Sequence, residues 1–534
     1  MRTELASEAT IPEDAQRAPT VALLARARPT WILGAIVVVV TALDVLWRTR
    51  ERRPPHGDMA FHLTSSLVYL RNFSVTDPLQ FVERYLYSPP LVYWVADVFY
   101  ALLGNEAMWV AVLSNAVWIA ILVFATYAIG SRLWNPRVGL LSVVFVVTAP
   151  MLVTSFKEYM LDAPLTATVA LALYCLIRAD GFFNRRYSLL FGLACGCGLL
   201  VKWTFPLVLW LPSVHATAIA LSEARLKRRF RGLVNLATAA VVAFAVAGTW
   251  YVRNLGDLAT LLPFYFGQEG VPAGAEHVTS LTSIFWYLWN LVNAQLYVVP
   301  FLFVLAGIVF LFVKRGLAAR NLFPILTVVG TYVAFTLLGH KDPRFTLPML
   351  PALAVIATSW LEYLSARARN ILASALVAYG AVAFGGISFG TSLLPRDTRI
   401  DLGASASFLP EKVTIFAQTG DLIGPPTREN WHQVDSFEAM ARARPTSAPL
   451  PIRVRTRRGS TRTGSPTTRS GTARAWSPPR GRDSSSTEGC SRPRPRTRSS
   501  CGCTVGACRT ATRLRSTSAS RVAMFRFALG PAVG

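Results

Sequence analysis

Long apolar runs follow one another from Trp31 to about Leu394, separated by short polar connections. A bilayer core of roughly 30 Å is crossed by about 20 apolar residues in a helix. In lipid the backbone must satisfy its own hydrogen bonds, which a helix does within one segment. Only 16% of the 534 residues are charged and 52% are hydrophobic, whereas a soluble domain carries about 25% charged residues. The pattern predicts an all-α polytopic membrane protein.

Eleven spans are expected, at about 31–47, 107–129, 138–154, 162–178, 188–201, 204–221, 232–250, 284–312, 321–338, 345–363 and 370–394. Pro89–Leu103, "PPLVYWVADVFYALL", is short, opens on two prolines and carries Asp97, which suits a helix lying in the interface. With that segment left out, the loops fall into two alternating sets. One set holds 15 basic residues, Arg225 to Arg231 densest among them, and the other only five beyond the first loop. Basic loops stay in the cytoplasm. Arg48, Arg50, Arg52 and Arg53 in the first loop run against the rule, but 15 against five outweighs them. The N-terminus is therefore expected inside.

The net charge of +25 invites a nucleic-acid reading, so its distribution matters. Residues 451–534 hold 18 arginines against Asp483 and Glu488, a net of +16, leaving +9 for the first 450 residues. That tail has almost no apolar periodicity and cannot bury a core. Arg, Ser, Thr, Pro and Gly without Lys is what a GC-rich gene gives in a shifted frame, and a frameshift near residue 451 is the favoured reading. A native disordered basic tail, or a nucleic-acid or metal module, are its alternatives. Cys501-Gly-Cys503 lacks a second pair with zinc spacing. The expected layout is a disordered cytoplasmic N-terminus at 1–30, a transmembrane catalytic domain at 31–395, a partial, truncated external domain at 396–450 and the tail. The polar start has no small-residue cleavage site after a short apolar core, so the first helix is read as uncleaved. No nucleic-acid partner is expected.

Five places carry polar groups on the expected external side. Asp58, after "RRPPHG", opens an amphipathic segment with His62 one turn on. Asp is a favoured helix cap, so capping and chemistry are both open to it. Lys157, Glu158 and Asp162 lie between two spans, Asp162 two residues before Pro164. Asp44 has Arg48 at i+4 as a pairing candidate. Lys202 is read as a snorkelling lysine or a cation for a lipid phosphate. His340, Lys341, Asp342 and Arg344 crowd into five residues, suiting a phosphate site, and His277 lies in a long loop. No phosphate-cradling Gly-rich loop, HExxH or G-x-S-x-G stands in the membrane body, so direct use of a nucleotide is not expected.

Taken in order, Gly57-Asp58, "YSPPLVYWV", "LDAPLTATVALALY", "GLACGCGLLVKWTFPLVL" and "KDPRFTLPMLPAL" resemble the GT-C integral-membrane glycosyltransferases. Within them the likeness is to glycosyltransferase family 39, which holds protein O-mannosyltransferases and aminoarabinose transferases. Met59 stands where many members have Glu, and Tyr87-Ser88 where the aminoarabinose group has Glu-Lys. The resemblance implies sugar transfer from a polyprenyl-phosphate donor to a hydroxyl of a lipid, glycan or protein, at the external face of a bacterial inner membrane. It implies Asp58 as general base in an inverting displacement, with Lys202, Lys341 and Arg344 meeting the donor phosphate. Asp162 would orient the acceptor or, with Asp58, hold a divalent cation; no cofactor is otherwise expected. Glu158, His62, His277 and His340 are further candidates. The alternatives are a lipid or sugar transporter or flippase, which predicts ionisable pairs deep within spans, and an inactive frameshifted product.

Overall fold

The computed structural model describes residues 19–72, 88–256, 258–260, 277–392, 395–403, 408–418 and 424–428, with the side chains of the first helix described from Pro29. The first 18 residues, Tyr87, the tail 451–534 and most of 396–450 lie outside the described residues.

All eleven expected spans occur as helical segments. They are α1 (Pro19–Arg50), α4 (Met108–Leu133), the pair α5 (Pro136–Val147) and α6 (Pro150–Lys157), α7 (Asp162–Ala179), α8 (Arg185–Val201), α9 (Pro206–Lys227) and α10 (Arg231–Arg253). Next come α11 (Leu281–Asn290) with α12 (Val298–Val313), a short α13 (Arg315–Arg320), α14 (Leu322–Thr336), α15 (Leu350–Ser359) and α16 (Ala366–Phe389). Between α1 and α4 the described residues form two further helices, α2 (Gly57–Asn72) and α3 (Leu91–Leu103). Among the described residues seven helices are long and apolar enough to cross a bilayer, or eight if the bent pair α5–α6 is one span; α3, α12 and α14 are shorter apolar helices.

Two expected spans are broken where the sequence looked continuous. Pro150 cannot donate into a helix and clashes with the preceding turn, so α5 and α6 meet at 64°. Between α11 and α12 runs a π-helical turn, Leu291–Leu296, ending at Tyr297 with φ of 63°. A tyrosine in the left-handed region is unfavourable. Its hydroxyl donates to Ala417 O at 3.3 Å, which ties the break to the chain beyond the last span.

Packing explains the glycines of α8. This helix lies against α7 on one side and α10 on the other. A Cβ at Gly192 would sit 2.3 Å from Ala239 O, and one at Gly196 would sit 2.6 Å from Val246. Small residues at that spacing let two membrane helices approach closely. Every residue of α15 and of α6 is buried; α15 is almost wholly apolar, and a helix apolar all round belongs inside a bundle. After α16, β1 (Asp397–Asp401) and β2 (Lys412–Ala417) form an antiparallel hairpin.

Two expectations about charges are corrected. Asp44 does not pair with Arg48. Arg48 Nη2 instead donates to Arg53 O at 3.4 Å and approaches Met108 Sδ. Asp44, 1% exposed, faces the fully buried Lys157 across α1 and α6, and neither side chain makes a hydrogen bond among the described residues. The Lys157 ammonium lies 5.7 Å from the Trp47 ring and 6.0 Å from that of Phe384. Not all charges of the body therefore sit in polar connections.

Candidate functional site

Four segments far apart in sequence meet at one end of the bundle. The first is the start of α2. Pro54, Pro55 and Gly57 turn the chain after α1, and Asp58 falls in the first turn of α2, where the helix dipole favours a carboxylate. Its Oδ2 accepts from Arg344 Nη2 at 3.0 Å. Arg344 also donates through Nε and Nη2 to Asp342, at 3.0 and 2.6 Å. One guanidinium thus ties the two carboxylates, as a planar fork of donors can.

Asp342 caps the 3-10 turn Pro343–Met349 by accepting from Arg344 N at 2.8 Å. Burial pushes its carboxyl up, but the hydrogen bonds and charge of Arg344 outweigh that and hold it below the usual carboxylate range. The π-helical turn supports the same segment: Gln295 Nε2 donates to Pro343 O at 2.6 Å and to Thr346 Oγ1 at 2.7 Å. Irregular helix here has a positioning role.

The second acid behaves differently from a cap. Asp162 is the first residue of α7, Leu161 takes the cap position, and no side-chain cap bond forms there. Asp162 Oδ1 instead accepts from Lys202 Nζ at 2.8 Å. Lys202, just past the end of α8, is therefore held inward rather than snorkelling. Its ammonium also lies 5.4 Å from the Phe345 ring, a cation–π distance. The charges of Asp58 and Asp162 both act on Arg344, and that of Lys202 acts on Asp342, so the two ion pairs form one cluster.

Glu158 Oε1 meets His56 Nε2 at 2.8 Å. Glu158 is a candidate from the sequence; His56, two residues before Asp58, is not marked there by any pattern. The hydrogen bond to Glu158 raises the His56 pKa against the opposing effect of burial, and the charge of Asp58 adds to the rise. Asn115 of α4 fixes this corner by donating to Phe156 O and Glu158 O at 2.9 and 3.0 Å.

Lys341 is the remaining cation. Its Nζ donates to Thr336 O, at the C-terminal end of α14, at 2.9 Å, and lies 5.3 Å from the Tyr287 ring. Among the described residues no carboxylate neutralises it. Burial pushes its pKa down to about 8.

The other histidines separate. His62 is buried behind Asp58, its Nδ1 2.8 Å from Tyr93 Oη, and burial pushes its pKa down to about 4 despite the pull of Asp58 and Asp162. It is neutral at ordinary pH. The His340 ring packs 5.9 Å from Phe345, at the edge of the cluster. His277 is exposed, bonded to Thr279 at 2.8 Å, and none of its described contacts reaches the cluster. As for a divalent cation, no three His, Cys, Asp or Glu side chains gather among the described residues. Asp58 and Asp162 each face a protein cation instead. That donor set does not fit a metal.

A cavity of about 350 Å³ lies away from this cluster, lined by Trp134, Asn135, Gly316, Arg320, Glu362 and Tyr363. Trp134 comes directly after α4, whose first half carries Asn115 at the cluster; the helix's 26 residues span about 39 Å. The cavity belongs to the opposite end.

Comparison with known proteins agrees with the pattern. Residues 87–251 match the family profile described as dolichyl-phosphate-mannose-protein mannosyltransferase. That stretch includes Asp162 and Lys202 and excludes Asp58, Lys341 and Arg344. The undecaprenyl phosphate-alpha-4-amino-4-deoxy-L-arabinose arabinosyl transferase of Pectobacterium carotovorum is 27% identical over 303 residues, covering 54% of this chain and 52% of that protein. Its namesake from Pseudomonas paraeruginosa is 25% identical over 348 residues, covering 62% and 59%. The crystal structure of ArnT from Cupriavidus metallidurans in the apo state superposes with a TM-score of 0.51 at 20% identity, covering 68% of this chain and 64% of that one. The chain spans little more than half the length of the curated relatives it matches. The resemblance to GT-C glycosyltransferases stands, and the fold is of the GT-C type: a multi-pass helical membrane body with helices α2 and α3 among the described residues between its first two spans.

Proposed function

We propose that this chain is a membrane glycosyltransferase that moves a sugar from a polyprenyl-phosphate donor to an acceptor hydroxyl, with Asp58 as the general base. The observation that carries this reading is the half-exposed Asp58 carboxylate, 47% open to solvent and held by Arg344 in a cluster of paired charges at one end of a GT-C-type bundle. The names of the relatives, which act on undecaprenyl phosphate-linked aminoarabinose, support the donor class and agree with a bacterial inner membrane.

The step balances on these residues. Asp58 takes the proton of the acceptor hydroxyl as its oxygen attacks the anomeric carbon. The bond from that carbon to the phosphate oxygen breaks with inversion, and polyprenyl phosphate departs with the electron pair. Lys341 is the cation best placed to meet the charge, because among the described residues no carboxylate competes for it. Arg344 bridges base and phosphate: its guanidinium holds Asp58 and keeps donors for an oxyanion, the kind of fixed electrostatic help that contributes most in closed sites. Lys202 is half spent on Asp162, which leaves Asp162 to orient the acceptor. The distribution of arginines favours an external site.

The test is transfer from a panel of undecaprenyl-phosphate sugars by protein in lipid nanodiscs. Asp58→Asn keeps the side-chain volume and the bond to Arg344 but cannot take a proton. Transfer is expected to fall by at least about 100-fold with the thermal transition unchanged; wild-type turnover in that variant would remove Asp58 as the base.

A further inference from the structure

The connection that carries Asp58 is held from an unexpected direction. After α1 the chain runs through Glu51, Arg52 and Arg53 to Pro54 and Pro55. Three groups on it or just before it reach the segment 424–428. The indole Nε1 of Trp47 donates to Gly424 O at 3.2 Å, Arg53 Nη2 donates to Pro425 O at 3.2 Å, and Arg52 N donates to Thr427 O at 3.0 Å. These contacts join residues more than 370 positions apart. We propose that residues 424–428 are a positioning strap that sets where Asp58 stands, so that the segment after the last span belongs to the catalytic apparatus. The proposal rests on the reading of Asp58 as base.

The chemistry of both partners suits a strap. Pro425 and Pro426 have a fixed φ and no N–H, so this stretch is stiff and offers carbonyl oxygens. The opposing groups are all donors. Trp47 is 1% exposed, and a buried indole N–H without an acceptor is costly. Arg52 N lies beyond the last helical bond of α1, which runs from Glu51 N to Trp47 O. Glu51 supplies the second half of the clamp. Its buried carboxylate accepts from Arg53 N, Nε and Nη2 at 2.7, 2.9 and 2.6 Å, fixing the arginine that reaches Pro425.

The hairpin before the strap is itself anchored to the membrane body. Tyr297 and Tyr379 donate to Ala417 O and Ile415 O at 3.3 and 2.7 Å, and Gln418 Nε2 donates to Thr391 O at 2.8 Å. On the other side, only Pro54, Pro55, His56 and Gly57 separate Arg53 from Asp58. Two prolines transmit a displacement of Arg53 instead of absorbing it. A shift of under 1 Å at a reacting group lowers a rate that depends on near-attack geometry.

The experiment uses the full chain in nanodiscs with two variants. Trp47→Phe keeps the ring and removes the N–H; the double substitution Pro425→Gly, Pro426→Gly frees the strap without touching the membrane body. Amide exchange of residues 52–58 is measured without substrate. Release of undecaprenyl phosphate from the donor that wild type turns over is measured separately. Both variants are expected to speed exchange in 52–58 and to lower kcat, with donor KM within about twofold. For Trp47→Phe the fall is roughly fivefold, as loss of one hydrogen bond predicts. The double glycine variant, which keeps the carbonyls but loosens them, is expected to lower kcat in the same direction. Unchanged exchange in 52–58, or unchanged kcat despite faster exchange, would overturn the strap. Absence of turnover in wild type would instead sink the glycosyltransferase reading, while exchange would still decide whether the strap holds the loop.

Discussion

At the scale of single residues, the cluster is a set of charges already matched to one another, with Lys341 the exception among the described residues. Arg344 answers Asp58 and Asp342, Lys202 answers Asp162, and His56 answers Glu158. Among the described residues Lys341 is stabilised by a carbonyl and a ring, and its pKa of about 8 means that it loses its proton as pH rises through that value. In the proposed function a donor phosphate binds the charged form. Donor KM is therefore expected to be flat below about pH 7 and to rise about tenfold per pH unit above about 8. Lys341→Arg keeps the charge at all these pH values and should abolish the rise, and a pH-independent KM in wild type would remove Lys341 from the phosphate site. The polar groups were legible in the sequence because carboxylates and cations at the ends of apolar runs stand out. Their pairing was not. Nothing in the spacing says that Asp58 meets a residue 286 positions later, or that Asp162 gives up capping for Lys202. His56 escaped notice for the same reason: its partner, Glu158, comes 102 residues on.

At the scale of elements, apolar run length predicted helices well and their interruptions poorly. The bend at Pro150 was readable in principle, since proline cannot continue a helix. The π-helical turn at Leu291–Leu296 was not, because its cause lies in what it touches: Gln295 on Pro343 and Thr346, and Tyr297 on Ala417. A run of apolar residues carries no mark of such contacts. The Gly-rich α8 offers a clean test of element packing. Gly192 has the Ala239 backbone 2.3 Å from where a Cβ would stand, whereas Gly34 in α1 has nothing within 4 Å. Gly192→Leu must push α10 away, and overpacking of this kind costs about 1–3 kcal/mol or more. That variant is expected to lose several degrees in its melting transition or fail to accumulate, while Gly34→Leu behaves as wild type. Equal behaviour of the two, measured by fluorescence-detected melting in detergent, would mean that α8 and α10 do not approach as described.

At the scale of the whole molecule, the question is which way the bundle faces. The cluster and the Trp134 cavity mark opposite ends, and basic residues crowd the cavity end: Arg132, Arg137, Arg315, Arg320, Arg367 and Arg369 all flank helix termini there. Basic loops resist translocation, so we propose that the cavity end lies in the cytoplasm and the cluster outside. The four arginines of the first loop would argue the reverse, but the structure explains half of them. Arg48 is buried and bonded within the protein, and Arg53 is engaged by Glu51 and Pro425. Charges neutralised or buried in this way weigh less as topology signals than the arginines of the opposite loops. The orientation is measurable with single cysteines in a background whose native cysteines are replaced by serine. Asn105→Cys, in the exposed connection between α3 and α4, is expected to react with a membrane-impermeant maleimide on intact spheroplasts. Arg229→Cys, between α9 and α10 at the far end, is expected to react only after permeabilisation. The opposite pattern would put the cluster in the cytoplasm, where a donor presented at the external leaflet could not reach Lys341.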